Sequence, residues 1–302
     1  MDLGMVGLGK MGGNMTVRLV HGGHRVVGFA RTKSVVDAVV REGAVGASSL
    51  ADLVRQLTPP RVVWLMIPSG DPVDQTLQQL RPLLTAGDLV VDGGNSYYRD
   101  TLRRAQQVSG WGFRYMDVGT SGGIWGLTEG YSMMVGGDPA DVERIAPALR
   151  TLAPGPDKGW GHVGPVGAGH FVKMVHNGIE YGMMQSYAEG FAVLQGKSVF
   201  ALDLHQVASI WRYGSVVRSW LLELTEAALA ENPTLAGVEP WVEDSGEGRW
   251  TVTEALDLNI PAPVITLALQ QRLRSREADP FAERLLALMR HGFGGHDVKR
   301  VG

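Results

Sequence analysis

The sequence predicts two domains, an α/β domain over residues 1–165 and an all-helical domain over residues 166–302. Three observations lead there. Short β-branched runs alternate with helix-patterned stretches through the first half, which reads as βαβ units and a mostly parallel sheet covered on both faces. A glycine-rich hexapeptide joins the first strand-like run to the first helical pattern. From about residue 171 the strand-like runs stop and long helical patterns take over.

In chain order, strands are expected at 3–6, 25–29, 62–67, 89–92, 115–117 and 132–135. A helix is expected at 10–21, where Met11, Met15, Leu19 and Val20 form the apolar face, and another at 35–42, closed by Gly43. The second half reads as helices at 171–194, 207–231, 251–258, 263–275 and 280–291. Pro and Gly crowd the stretch from Ala153-Pro154-Gly155-Pro156 to Gly167, which marks a boundary or a tight crossing.

Composition narrows the function. Hydrophobic residues make up 44% and charged residues 20%, enough to bury a core. A net charge of −3 argues against a nucleic-acid partner. The absence of cysteine excludes disulfides, thiolate–zinc sites and a cysteine nucleophile, and fits a reducing, cytoplasmic compartment. The opening Met1-Asp2-Leu3-Gly4 does not read as a secretory leader. The longest clear apolar run, residues 62–67, is far short of the roughly 20 residues that span a bilayer, so no membrane partner is expected. His21 and His24 flank a Gly-Gly turn without a third ligand nearby, and no metal site is expected.

The hexapeptide Gly7-Leu8-Gly9-Lys10-Met11-Gly12 is a G-x-G-x-x-G set between a strand and a helix. The first glycine permits the tight turn, the second lets the backbone approach a pyrophosphate, and the third packs helix on strand. The helix N-terminus adds N–H groups and partial positive charge. This is the signature of a Rossmann-type domain. An Asp or Glu at the end of the second strand would bind the ribose 2′-hydroxyl of NAD. Here Gly28-Phe29-Ala30 is followed by Arg31, Thr32 and Lys33, two cations and a hydroxyl suited to a 2′-phosphate. NADP is therefore favoured over NAD, unless Arg31 only stacks on adenine.

Lys173, His176, Asn177 and Glu180 stand at i, i+3, i+4 and i+7, so they share one helix face over ~10 Å. The intervening residues are mainly Met, Val and Ile, so the stripe is either a solvated face or a buried polar site. Burial lowers an amine's pKa and raises a carboxyl's, which suits a lysine as general base and a glutamate as general acid. Gly178 and Gly182 each cost about 1 kcal/mol in a helix interior, which makes sense if something approaches the helix closely. Two strand-ending loops, Asp92-Gly93-Gly94-Asn95-Ser96 and Asp117-Val118-Gly119-Thr120-Ser121-Gly122-Gly123, fall where parallel sheets bind ligands.

Together with Phe293-Gly294-Gly295-His296, these motifs resemble the 6-phosphogluconate dehydrogenases of the β-hydroxyacid dehydrogenase superfamily, over nearly the whole chain. The resemblance implies NAD(P)-dependent oxidative decarboxylation of 6-phosphogluconate, a phosphorylated aldonate, to ribulose 5-phosphate, without a metal. It implies Lys173 as the base at the 3-hydroxyl and Glu180 as the acid that protonates the enediol. Asn95, Ser121, Gly122, Gly123, His176 and Asn177 would bind the substrate's hydroxyls and carboxylate. Tyr181, Arg272, Arg290 and His296 would hold its phosphate end. Asn95 would also face the cofactor, held by Gly7, Leu8, Gly9, Lys10, Met11, Gly12, Arg31, Thr32 and Lys33. Arg290 and His296 match residues that reach a neighbouring subunit's pocket, which implies at least a homodimer with shared active sites. The length fits the family's short form. Ser245 stands where the long form carries a phosphate-binding lysine, and Ile124-Trp125 replaces the acids usual after Ser-Gly-Gly. Two other readings remain: a related hydroxyacid dehydrogenase that does not decarboxylate, and an NADP-sensing scaffold.

Overall fold

The computed structural model describes residues 1–294 and 297–300. Eight strands form one sheet: β1 (Asp2–Val6), β2 (Arg25–Phe29), β3 (Val45–Gly46), β4 (Val62–Leu65), β5 (Leu89–Asp92), β6 (Arg114–Ser121), β7 (Ser132–Gly136) and β8 (Trp160–Gly164). Their spatial order is β3-β2-β1-β4-β5-β6-β7-β8. All pairs are parallel except β6 with β7. The order reverses between β1 and β4, and the crevice at that switch point is where open α/β sheets take a ligand.

Seven helices accompany the sheet: α1 (Lys10–His21), α2 (Lys33–Arg41), α3 (Leu50–Arg55), α4 (Asp71–Leu80), α5 (Tyr98–Ser109), α6 (Gly126–Glu129) and α7 (Pro139–Leu152). The strand side chains alternate between two cores. Val62, Trp64, Leu89 and Val91 face α1, α2 and α7 through Met15, Leu19, Val39 and Ile145. Val63, Leu65 and Val90 face α3, α4 and α5 through Leu53, Leu77 and Val108. Each such side chain contributes ~1.5–3 kcal/mol when fully buried, so runs like Val62–Leu65 belong in a sheet covered on both sides.

The second half holds α8 (Ala168–Gly196), α9 (Leu204–Trp211), α10 (Trp220–Glu231), α11 (Glu247–Asp257), α12 (Pro263–Arg274) and α13 (Phe281–Gly294). By compactness the chain divides within α8, into units 1–177 and 178–302. Two small clusters hold the second unit: Phe191 with Ala208, Leu222 and Leu229, and Tyr181 with Ala268 and Leu269.

The α/β-then-helical architecture is as expected, with corrections in detail. The single helix expected at 207–231 is two, because Gly214 takes a φ of 74° and Ser219 restarts the chain as an N-cap, its hydroxyl accepting from the Leu222 N–H. The glycine-rich stretch near 160, read as a boundary or a tight crossing, contains a strand not expected there, β8, an edge strand paired with β7. The strand expected at 115–117 runs on to Ser121, so Gly119 and Thr120 lie inside β6 rather than in a loop. The last helix, expected over 280–291, continues past His291 to Gly294, with Arg290 inside it. Among the described residues no helix is long and apolar enough to cross a membrane.

Candidate active site

The glycine motif sits at the switch point as its residue types require. Gly7 has a φ of 94°, and a Cβ there would stand 2.3 Å from the Met66 carbonyl oxygen. A Cβ on Gly12 would come within 2.0 Å of the Gly7 carbonyl oxygen, so this glycine is what lets α1 close on β1. Gly9 differs: a Cβ there would meet nothing within 4 Å. The second glycine thus opens onto free space at the start of α1, and no side chain caps that helix or places an acid in its first turn. Lys10 and Met11 begin α1, and Leu8 is buried beneath the loop. These features fit a dinucleotide's pyrophosphate.

The specificity segment follows β2. Gly7 donates to the Phe29 carbonyl at 2.9 Å, which ties the motif to the end of that strand. Arg31, Thr32 and Lys33 are all exposed. Lys33 is committed to Asp37, 2.7 Å away on the same helix, whereas Arg31 has no hydrogen bond or ion pair among the described residues. Of the two cations expected here, Arg31 alone is uncommitted.

After β5, Asp92 accepts from Ser96 Oγ and from the Tyr115 hydroxyl, each at 2.9 Å. Asn95, between them, has its amide oxygen buried without a partner. An unpaired buried acceptor costs roughly 1–3 kcal/mol, which a bound donor would recover. Sequence reading missed what holds this loop. Arg104 is fully buried on α5, donates to the Gly70 carbonyl at 2.9 Å and to Asp74 at 2.8 Å, and reaches Ser96 Oγ at 3.4 Å. The available signal was its helical spacing from Thr101 and Val108, which places an arginine on an otherwise buried face.

Strand β6 ends at Ser121, and Gly122 and Gly123 follow with φ of 130° and 52°. The next turn is tied to α1, for Asn14 donates to the Ile124 carbonyl at 3.2 Å. Ile124 and Trp125 are exposed; nothing among the described contacts explains why they replace the usual acids.

On α8, Lys173 is buried, at 4% exposure, which rules out a solvated face at that position. Its amine donates to the Asn177 amide oxygen, and His176 Nδ1 lies 3.0 Å from the same oxygen. Glu180 is half-buried two turns along the helix from Lys173. A Cβ on Gly178 would stand 2.6 Å from Thr251 Cγ2, so α11 makes the close approach that the helix glycines suggested.

Within the second unit, Tyr181, Ser245 and Arg272 come together. The Arg272 guanidinium lies 3.5 Å from the Tyr181 ring centroid and donates to the Glu243 carbonyl at 2.9 Å. The Tyr181 hydroxyl is 3.4 Å from Ser245 Oγ. Arg290 is exposed on α13 and joins no described cluster. His296 lies outside the described residues. Among the described residues no group of three His, Asp or Glu could hold a metal ion.

Residues 2–164 match the family pattern for the NAD binding domain of 6-phosphogluconate dehydrogenase, and residues 169–290 match the pattern for its C-terminal domain. The chain belongs to the 6-phosphogluconate dehydrogenase family. It is 46% identical over 301 residues to the NAD(+)-dependent, decarboxylating 6-phosphogluconate dehydrogenase of Haloferax volcanii, covering 99% of each chain. It is 38% identical over 291 residues to the decarboxylating 6-phosphogluconate dehydrogenase of Synechococcus elongatus, covering 91% of this chain and 61% of that one. The structure of Plasmodium falciparum 6-phosphogluconate dehydrogenase, solved apo, with NADP+ and with 6-phosphogluconate, superposes with a TM-score of 0.84 at 28% identity, covering 100% of this chain and 66% of that one. The chain thus spans the full length of the short relative and about three-fifths to two-thirds of the long ones. A Mycobacterium tuberculosis 3-hydroxyisobutyrate dehydrogenase shares the fold, with a TM-score of 0.72 at 21% identity, covering 88% of this chain and 90% of that one.

Proposed function

We propose that the chain catalyses nicotinamide-dependent oxidative decarboxylation of 6-phosphogluconate to ribulose 5-phosphate and CO2. One observation carries the reading: a buried lysine, Lys173, hydrogen-bonded to Asn177, on the helix that packs against the strand ending in Ser121. A nicotinamide cofactor, held over Gly7–Gly12, would accept hydride from C3 of the substrate. Lys173 takes the 3-hydroxyl proton as that hydride leaves, so the C–H and O–H bonds give way to a carbonyl. The protonated amine then hydrogen-bonds that carbonyl and withdraws electron density as the bond to the carboxylate breaks and CO2 departs. That oxygen takes the amine's proton to give the enediol; Glu180 then gives a proton to the carbon that has lost CO2 while Lys173 takes the proton back from the enediol oxygen, which leaves the ketose.

Asn95, Ser121, Gly122, Gly123, His176 and Asn177 are assigned to the substrate's hydroxyls and carboxylate, and Asn95 also to the cofactor. Tyr181, Arg272, Arg290 and His296 are assigned to the phosphate. With Ser245 in place of a lysine, the arginines carry that charge. The division near residue 165 separates the cofactor domain from the substrate-binding and dimerisation domain. NADP is favoured through Arg31 and Thr32. The pairing of Lys33 with Asp37 favours a second reading, in which Arg31 stacks on adenine and NAD serves as well. A homodimer with active sites completed by Arg290 and His296 of the neighbour belongs to the same reading, and rests on the resemblance of the C-terminal stretch. The apolar residues left exposed on α13, among them Phe281, Leu286 and Met289, are what a second copy would cover. A cytoplasmic location suits such a metabolic enzyme.

The test is a steady-state assay with 6-phosphogluconate and with gluconate, against both cofactors, trapping released CO2. Stoichiometric CO2 from the phosphorylated substrate is expected. Cofactor reduction without CO2 would favour a hydroxyacid dehydrogenase, and no turnover with any aldonate would favour a cofactor-sensing scaffold.

A further inference from the structure

Strand β6 meets α8 at two residues to which the reaction above gives no part, Asp117 and Gly119. Asp117 is fully buried. Its Oδ1 accepts from the Gly167 N–H at 2.6 Å and its Oδ2 from the His170 N–H at 2.7 Å. These are N–H groups that the start of a helix leaves without intrahelical partners. Two glycines make room for the carboxylate: a Cβ on Gly136 would stand 2.6 Å from Oδ1, and one on Gly169 2.9 Å from Oδ2. His170 is buried beside it, its Nδ1 3.9 Å from Asp117 Oδ2 and 2.7 Å from Thr101 Oγ1, so α5 is drawn into the same anchor. Two residues along β6, on the same face of the strand, Gly119 meets the next turn of the helix. A Cβ there would stand 2.4 Å from Lys173 Cβ and 2.6 Å from the Gly169 carbonyl oxygen. Ser121 follows two residues later on the same strand.

We infer that Asp117 is a positioning residue for the Lys173 amine: it clamps the first turn of α8 onto β6 so that Lys173 is seated on Gly119, in register with Ser121. Burial pushes the Asp117 carboxyl up from its ordinary value, and the two helix N–H groups and His170 oppose that rise. The clamp is therefore a charge-bearing group spent on geometry in a place that disfavours it. The inference rests on the reading of Lys173 as the base. A misplacement of about 1 Å at a reacting group costs on the order of 10²-fold in rate. Neither Asp117 nor Gly119 lies in the glycine motif, so loosening the clamp is expected to leave cofactor affinity unchanged.

The experiment compares Gly119→Ala, Asp117→Asn and Lys173→Met in the full-length enzyme. It reads kcat, KM, cofactor affinity by fluorescence, and the isotope effect on kcat with substrate deuterated at C3. Gly119→Ala should lower kcat by on the order of 10²-fold with cofactor affinity kept, and its isotope effect should rise as hydride transfer becomes limiting. Asp117→Asn keeps only one acceptor for the two N–H groups and should move the same way. A Gly119→Ala enzyme with the parent kcat and isotope effect overturns the inference. So does a loss of cofactor affinity in step with kcat, or a failure of both variants to fold, since either marks a general structural role. An active Lys173→Met enzyme overturns the base assignment instead. An inactive Lys173→Met beside an unimpaired Gly119→Ala overturns the positioning inference alone.

Discussion

The Lys173 amine donates to the Asn177 amide oxygen one turn further along the same helix. His176 Nδ1 lies 3.0 Å from that oxygen, so a single acceptor organises two polar groups of the face. The contact fixes where the amine points, which is what a proton-transfer group requires.

Lys173→Met should therefore keep the fold and cofactor binding and lose both hydride transfer and CO2 release. General acid–base groups contribute roughly 10²–10⁴-fold, so a variant that keeps more than about a tenth of the parent rate removes Lys173 from the role of base. Lys173→Arg should fail as well, because a guanidinium stays protonated at neutral pH and cannot accept the substrate's proton. Stopped-flow reduction of the cofactor and CO2 trapping measure the two steps separately.

Arg31→Ala addresses the cofactor. The side chain is exposed and uncommitted at the end of β2, while Lys33 is held by Asp37. A charge-assisted hydrogen bond to a 2′-phosphate is worth ~1.5–3 kcal/mol, or roughly 10- to 150-fold in affinity. KM for NADP should rise by that order with KM for NAD nearly unchanged. An equal rise for both would show that Arg31 stacks on adenine.

How far the site was legible in the sequence depends on whether its residues are near neighbours in the chain. The glycine motif and the Lys173–Tyr181 face are local patterns, and helix or turn geometry alone places their members. Arg104 is different. Its partners come from two segments, Gly70 and Asp74 at the start of α4 and Ser96 after β5, which only the sheet order brings beside α5. Asp117 was read as part of a ligand loop because Gly119, Gly122 and Gly123 follow it. The first of those glycines serves instead as the seat for a helix whose approach no local pattern announces. The break between α9 and α10 was hidden by apolar residues that keep helical spacing across Gly214. Many of them are exposed, Val216 at 99%, so their apolarity reports something other than the core of this unit.

Asp74 gives an acid-stability prediction. Partial burial raises its pKa, but the hydrogen bonds and charges of Arg103 and Arg104 outweigh that and bring the carboxyl down to about 2. An unfolded aspartate titrates near pH ~3.9. The folded value is the lower one, so the stabilisation is complete above the unfolded value and is lost as pH falls from about 4 through about 2, amounting to on the order of 1–2 kcal/mol for a partly exposed group. Urea unfolding should show Asp74→Asn less stable than the parent at neutral pH, since the buried Arg104 loses its hydrogen-bonded, partly exposed counter-ion. The gap should narrow across the acid window. A constant gap would mean that Asp74 does not titrate with folding.

Arg272 should matter to binding more than to chemistry. Its guanidinium is spread over the Tyr181 ring and anchored by the Glu243 carbonyl, which leaves other N–H groups for an anion. Lysine keeps the charge but loses the planar fork and the stacking. Arg272→Lys should raise KM for 6-phosphogluconate by roughly 10-fold or more at nearly constant kcat. A fall in kcat at constant KM would move Arg272 away from the phosphate.

The last prediction concerns the assembly. Arg290 is exposed on α13 and joins none of the described clusters that hold Tyr181, Ser245 and Arg272. The helix that carries it exposes Leu285, Leu286, Leu288 and Met289, each by more than a third, a run of apolar surface that a solvated helix would not keep. If that helix docks on a second copy, Arg290 is delivered to the neighbour's phosphate subsite, where a guanidinium binds phosphate bidentately. Arg290→Ala alone should then raise KM for substrate and spare cofactor binding. Deleting residues 290–302 should do the same and more strongly. The decisive form of the experiment mixes subunits. In a heterodimer of Lys173→Met with Arg290→Ala, one of the two shared sites receives neither lesion, whereas sites built within one chain would each keep a lesion. Verified heterodimers should regain activity well above both parent homodimers. If they do not, Arg290 acts in its own subunit or not at all, and the shared site is wrong.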